Sequence, residues 1–498
     1  AQASGSRLSV LIGKVPGPLV ITLGLRSLCR AAMAMAKNPV VFALATGMGL
    51  LTDKYELAVT NFIDELSDFE ASEFMKEFVH AAMYAGAVFG MLTFGPLSDV
   101  VGRRVCMIAT SLLCLIGAVG SALAPSETFL VVCRIVTGIG MGGEYPLAAS
   151  HSAENAQDSN NGGRNVGLLY LFGSGLGQLL CPVVVYILLC TGLPDDAVWR
   201  GAFWVGAAFA ALGLVLRILT TEDSDKFKKA HKKREQSSVS TVRALQPFAM
   251  PLLGTALSWF LYDVIEYGLK QNDAAIFHAN SASIKDSVMT VALSRLLVIP
   301  ALAIAAFLPS YMQMKWMQLL GFAGCAVINL CLAIFYVDIH KEHVILFNTL
   351  YIIQLAFQSL PGVTTMGIPA VIFPAAFKGT CLGISAATGK VGATVGSYAF
   401  AKLKNDGHIS WIFWTVTCTA LLAALTTVAL IPRWDGSNLD LMEKAARAGD
   451  SKGAVGILYA GPAKSKPKAA DLESEEAETS EESTKEGSLS GNSNRESE

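Results

Sequence analysis

Arg134-Ile-Val-Thr-Gly138-Ile-Gly140-Met-Gly142-Gly143-Glu144-Tyr145-Pro146 lies inside a run, Phe129 to Ala149, with no other charged residue. A stretch of that length spans a bilayer as one helix, at roughly 20 residues per crossing. Its glycines let a neighbouring backbone approach closely. A carboxylate and an arginine inside a membrane are costly, and by default they mark a path for a solute or a proton. A tightly packed helix with a structurally paired Glu144 is the alternative reading.

The rest of the chain sets that helix in a membrane. Of 498 residues, 52% are hydrophobic and 16% charged, and the mean hydropathy is +0.47, too little charge to cover a soluble surface. The net charge of −2 offers no basic footprint for nucleic acid. The ten cysteines fall mostly in apolar runs without metal-binding spacing, and His340 with His343 stands too isolated for a metal. No metal, cofactor or enzymatic nucleophile–base set is expected. The chain reads as an integral membrane protein.

Twelve apolar spans succeed one another, approximately 39–62, 78–97, 105–124, 128–149, 166–190, 200–220, 248–269, 287–308, 316–337, 344–374, 380–401 and 410–432. The expected organisation is a basic leader or transit peptide (1–38), a six-helix bundle (39–220) and a basic linker (221–247). A second six-helix bundle (248–432) and a disordered acidic tail (433–498) complete it. Two sets of six joined by a polar loop is the layout of a carrier built from repeats. Lys and Arg concentrate in the leader, the linker and the even-numbered connections, which puts both termini in the cytoplasm.

Between the second and third spans stands Gly95-Pro-Leu97-Ser-Asp99-Val-Val-Gly102-Arg103-Arg104. It resembles the major facilitator signature G-x-L-x-D-x-x-G-R-R/K, which in that family locks the cytoplasmic side. The resemblance implies an all-α polytopic protein, twelve transmembrane helices in two six-helix bundles. Gly95, Asp99, Gly102, Arg103 and Arg104 would gate it, with Arg134 on the fourth span added to the set. The mirror loop before the ninth span (Ser310, Gln313, Met314, Lys315) lacks the pattern.

Further stretches are similar to the phosphate:proton symporters of plants and fungi. Thr46-Gly-Met-Gly49-Leu-Leu-Thr52-Asp53-Lys54-Tyr55-Glu56 resembles their G-M-G-F-F-T-D-x-Y-D, and Gly142-Gly143-Glu144-Tyr145-Pro146 their G-G-D-Y-P. Trp259-Phe-Leu-Tyr-Asp263-Val-Ile-Glu266-Tyr267 resembles W-F-L-x-D-x-x-F-Y, Thr364 to Pro374 resembles T-T-F-x-x-P-A-E-x-F-P, and Gly383 to Ala393 resembles G-I-S-A-A-x-G-K-x-G-A. By this resemblance Tyr145, Ser174, Gln178, Trp259, Asp263, Tyr267 and Lys390 would bind substrate. Asp53, Glu56 and Glu144 would couple protons.

The chemistry is coherent for an anion carried with protons. Trp259, Asp263 and Tyr267 recur every four residues and share a helix face. The aromatic groups donate, and Asp263 accepts from a protonated phosphate oxygen. Lys390 offsets the negative charge, and Asp53 and Glu56 can form a relay with Glu144. Two departures concern the substrate: Ser174 stands where the family has Gln, with Gln178 four residues on, and Gly362 stands where it has Asn. Glu266 replaces an aromatic residue. The expected function is proton-coupled inorganic phosphate symport by alternating access, in the plasma membrane. A carrier of a sugar or organic anion and a non-transporting nutrient sensor are the competing readings.

Overall fold

The computed structural model describes residues 39–66, 73–155, 159–221, 223–224, 227–228, 245–270, 284–434, 441–442, 445–446 and 450–460. The expected leader and most of the expected linker and acidic tail lie outside the described residues. Within them the chain is helical, without strands. The first set comprises α1 (Pro39–Leu66), α2 (Glu73–Val101), α3 (Arg103–Ala122) and α4 (Glu127–Glu154). Then α5 (Ser159–Tyr170) and α6 (Gly177–Cys190) form one span through a π-helical segment, Leu171–Leu176, and α7 (Asp195–Thr220) closes the set. The second set is α8 (Ala249–Lys270), α9 (Ile284–Phe307), α10 (Met314–Glu342), α11 (Val344–Ile372), α12 (Lys378–Asn405) and α13 (Ile409–Leu430). A short α14 (Ser451–Ala460) comes last.

The two sets repeat one packing pattern. α3 lies against α4 and α7, and α1 against α7. In the second set α10 lies against α11 and α13, and α8 against α13. The sets meet where α2 packs on α12, and where α5 packs on α9 and α11.

The glycines of the opening stretch explain how close these helices come. A side chain at Gly138 or Gly142 would run into the carbonyls of Met83 or Ala87 on α2, and one at Gly140 into Cys114 and Thr110 on α3. Two faces of α4 are therefore pressed backbone-close against two neighbours, as small residues permit in a membrane.

Nine helical stretches among the described residues are long and apolar enough to cross a membrane. The remaining long helices, α1, α4 and α12, fall short because they hold buried ionisable groups and glycines. They contribute Asp53, Lys54 and Glu56, then Arg134 and Glu144, then Lys390. The helices least suited to lipid are the ones that build the interior.

Candidate functional site

A cage of charged and aromatic side chains closes around one tyrosine oxygen at the junction of the two sets. From α8 come Trp259, Asp263 and Tyr267, which the spacing of four places on one face. From α12 comes Lys390, whose ammonium donates to Asp263 Oδ2 at 3.0 Å and to the Tyr267 hydroxyl at 2.7 Å. From α1 comes Lys54, whose ammonium donates to the same hydroxyl oxygen at 2.9 Å. Tyr145 of α4 presents its ring to both, 5.5 Å from Lys54 Nζ and 5.1 Å from Lys390 Nζ. The Tyr145 and Trp259 rings lie 6.4 Å apart, and Tyr84 of α2 meets Tyr267 edge-on at 5.6 Å. Gly389 makes the fit possible, since a Cβ there would press into the Trp259 indole.

All of these side chains are buried. Two ammonium groups within reach of one oxygen repel each other by on the order of 3 kcal/mol, taking about 5 Å and an effective dielectric near 20. Asp263 balances only one of them. The arrangement suits an incoming anion, and the Tyr145 hydroxyl, buried without a well-formed hydrogen bond, offers a further donor. Lys54 is a site residue that the motif comparison passes over. It occupies the unspecified position of T-D-x-Y-D, and a lysine in the middle of an apolar span was the available signal.

Ser174, in the π-helical segment, and Gln178, on α6, lie elsewhere, against the adjoining face of α8 that carries Tyr262, Glu266 and Lys270. They line a small cavity with Tyr170, Glu266, Lys270, Arg295 and Gln358. Gln178 donates to Ser174 Oγ at 3.3 Å and accepts from Lys270 at 2.7 Å. Lys270 is ion-paired with Glu266, whose other oxygen accepts from Gln358 at 2.7 Å. The carboxylate added by Glu266 is thus used locally. Over Gly362, where the resembled family has Asn, the Tyr170 and Tyr262 hydroxyls hydrogen bond at 2.9 Å. A side chain at position 362 would displace that pair.

The three expected proton-coupling carboxylates are buried in the first set, and no hydrogen bond joins one to another. Glu56 is ion-paired with Arg134 at 3.0 Å, and Arg134 also donates to Ser121 and Thr137. Glu144 is gripped by both terminal nitrogens of Arg217 on α7 and accepts from Thr110 Oγ1 at 2.5 Å. Asp53 makes no ion pair. Its Oδ1 accepts from the Cys114 thiol at 3.6 Å, and its Oδ2 is buried without a partner. Arg134 and Glu144, about 15 Å apart along α4, each take a partner from another helix. Arg217 carries no motif, although it is the one charge in the otherwise apolar stretch 201–220.

The Gly95–Arg104 segment builds a closed end. Asp99 accepts from the Gly379 and Thr380 amides, at 3.0 and 2.7 Å, and from the Thr380 hydroxyl at 2.7 Å, so it caps the start of α12. Arg103 bridges Asp99 at 2.7 Å and Glu154 at 3.0 Å and donates to the Ala375 carbonyl. Gly102 adopts φ 109°, a conformation that favours glycine, and lets α2 turn sharply into α3. Arg104 donates to the Ile218 carbonyl at the end of α7. Arg134 stands apart from this gate: it precedes Glu154 by 20 residues on α4, about 30 Å of helix rise. In the mirror position Lys315 donates to the carbonyls of Val428 and Ile431 at the end of α13. The mirror loop therefore has a lysine on the end of α13, and its residues 308–315 include no acid equivalent to Asp99.

Replacing Asp99 by Ala is expected to loosen the α2–α12 end. Cys381 is fully buried one turn into α12. In a background lacking the exposed Cys190 and Cys418, its labelling by a maleimide should quicken about tenfold, the factor that ~1.4 kcal/mol of lost closure gives. An unchanged labelling rate would show that Asp99 does not hold the end shut.

The chain is similar to known proteins in sequence and in fold. The family model for the Major Facilitator Superfamily matches residues 42–397. The chain is 30% identical over 354 residues to inorganic phosphate transporter PT2 of Toxoplasma gondii, covering 69% of this chain and 62% of that protein. It is 27% identical over 481 residues to probable inorganic phosphate transporter 1-6 of Arabidopsis thaliana, covering 80% of this chain and 92% of that protein. Among solved structures, the proton:xylose symporter XylE superposes with a TM-score of 0.68 at 22% identity, over 79% of this chain and 96% of that one.

Proposed function

Because the chain belongs to the major facilitator superfamily, we propose that it is a secondary carrier moving inorganic phosphate with protons by alternating access. The observation that carries this reading is the cage of Lys54, Lys390, Tyr145, Trp259, Asp263 and Tyr267. It is assembled from both sets of helices, buried, and rich in donors for an oxyanion. The similarity to inorganic phosphate transporters supports the same substrate.

An anion seated there touches α1 and α4 on one side and α8 and α12 on the other. Its arrival therefore favours rocking of one set against the other. Ser174 and Gln178 support α8 through Lys270 and line the adjoining cavity. Among the three first-set carboxylates, Asp53 is the one left without a cation, so it is the group best placed to take up and release a proton. Glu56 and Glu144 flank it on the same path, held by arginines. The Gly95–Arg104 gate faces the cytoplasm in this reading, with both termini on that side and the protein in the plasma membrane.

The test is uptake of radiolabelled phosphate into proteoliposomes with and without an inward proton gradient. Phosphate should accumulate only with the gradient, and a protonophore should abolish the accumulation. Accumulation driven by sodium and indifferent to pH would overturn proton coupling. Failure to bind or move phosphate at all would overturn the substrate.

A further inference from the structure

Three neighbouring charges on α1 point three ways. Asp53 meets Cys114 of α3, and Glu56 meets Arg134 of α4, so both stay within their own set. Lys54 alone of the three crosses to the other set and reaches Tyr267 of α8. No carboxylate among the described residues lies within ion-pair distance of its ammonium, whereas Lys390 has Asp263. Aromatic faces give Lys54 partial compensation, with the Tyr145 and Tyr267 ring centres 5.5 and 5.2 Å away. A buried lysine with no acid of its own is costly, and the cost falls when an anion arrives beside it.

We propose that Lys54 is the charge-selecting residue of the solute site: with Lys390 it makes the cage prefer a tetrahedral oxyanion of two negative charges over one of a single charge. This deepens the phosphate reading above and rests on it. Lys390 and Asp263 together carry no net charge, so a cage with that pair alone would present an anion only with hydrogen-bond donors. Lys54 adds a second ammonium from the opposite set, with no carboxylate among the described residues within ion-pair distance of it. Its ammonium and that of Lys390 already converge on a single oxygen, at 2.9 and 2.7 Å, the convergence that one oxyanion would exploit. Between oxyanions of equal charge Lys54 discriminates less, because it reads charge and not the proton that phosphate carries and sulfate lacks.

The experiment uses the purified full chain and three probes of one shape: inorganic phosphate, sulfate with two fixed charges, and perchlorate with one. Binding of labelled phosphate is measured in detergent with each of the others as competitor. Sulfate should displace phosphate from the wild type more effectively than perchlorate does. In Lys54→Gln the ratio of sulfate to perchlorate potency should fall at least about tenfold, and Lys54→Arg should keep it. A wild type and Lys54→Gln with the same ratio, both binding phosphate, would overturn the role of Lys54 and leave the phosphate reading standing. A wild type that binds none of the three would overturn the phosphate reading and this inference with it. Should Lys54→Gln fail to fold, judged by its elution profile and melting temperature, wild type and Lys54→Arg decide. Perchlorate matching sulfate in both overturns the proposal, and sulfate exceeding perchlorate in both supports it.

Discussion

Asp263→Asn is expected to exchange phosphate across the membrane while losing net uptake. Asp263 holds the Lys390 ammonium at 3.0 Å. A loaded carrier has its lysines balanced by phosphate and can reorient whatever stands at position 263. An empty carrier with the neutral amide there would have to reorient with Lys390 and Lys54 both buried and unbalanced. That raises its barrier, and a rise of only ~1.4 kcal/mol slows the step tenfold. Net uptake, which needs the empty step, should fall at least about tenfold. Counterflow, which bypasses it, should stay near the wild-type rate. Equal loss of both would show that Asp263 contacts the solute without setting the return of the empty site.

Arg217→Met is expected to be the most destabilising single change, at about 3–5 kcal/mol, because it leaves the Glu144 carboxylate buried without its cation. Arg217 is fully buried and grips both oxygens of Glu144, while donating to Ser111 Oγ at 2.5 Å and the Met107 carbonyl at 3.1 Å. It joins α7 to α3 and α4 at once. The melting temperature in detergent should drop and expression should fall. Adding Glu144→Gln to Arg217→Met should restore much of the loss, since an amide needs no counter-charge. A double variant as unstable as the single would assign the loss to the α3 contacts instead.

The helical framework was legible because lipid imposes one rule on every span, namely length and apolarity. The segments read from hydropathy coincide with the helices to within a few residues. Most extend further, as α4 does past Ala149 to Glu154, where its buried end meets Arg103. The α8 triad was legible because its spacing of four is a property of a single helix. Partners across helices were not. Nothing local says that Glu56 belongs to Arg134, or that Glu144 belongs to Arg217 on a span 73 residues away. The relay expected of Asp53, Glu56 and Glu144 rested on proximity along and between helices. Arg134 holds Glu56 and Arg217 holds Glu144, contacts made between helices that spacing along one helix does not show. Ser174 and Gln178 were placed by likeness to a fifth-span position. That span contains a π-helical segment, Leu171–Leu176, and Gln178 just beyond it accepts from Lys270.

The order of the deep ion pairs along the chain bears on how the protein is made. Away from the gate, in the pairs that tie one helix to another, the acid leaves the ribosome first: Glu56 before Arg134, Glu144 before Arg217, Asp263 before Lys390. In the Gly95–Arg104 segment, where helices end, an arginine comes early, with Arg103 ahead of Glu154. A carboxyl waiting in the bilayer can hold a proton and remain neutral, whereas a guanidinium cannot shed its charge there. Arg134, Arg217 and Lys390 therefore each enter the membrane after the acid they pair with, whereas Lys54, which has no carboxylate among the described residues within ion-pair distance, does not follow that order. Exchanging the two members of a pair would keep the ion pair of the finished carrier and reverse that sequence of arrival. The mature fold would be the same, and its biosynthesis would be the step that suffers.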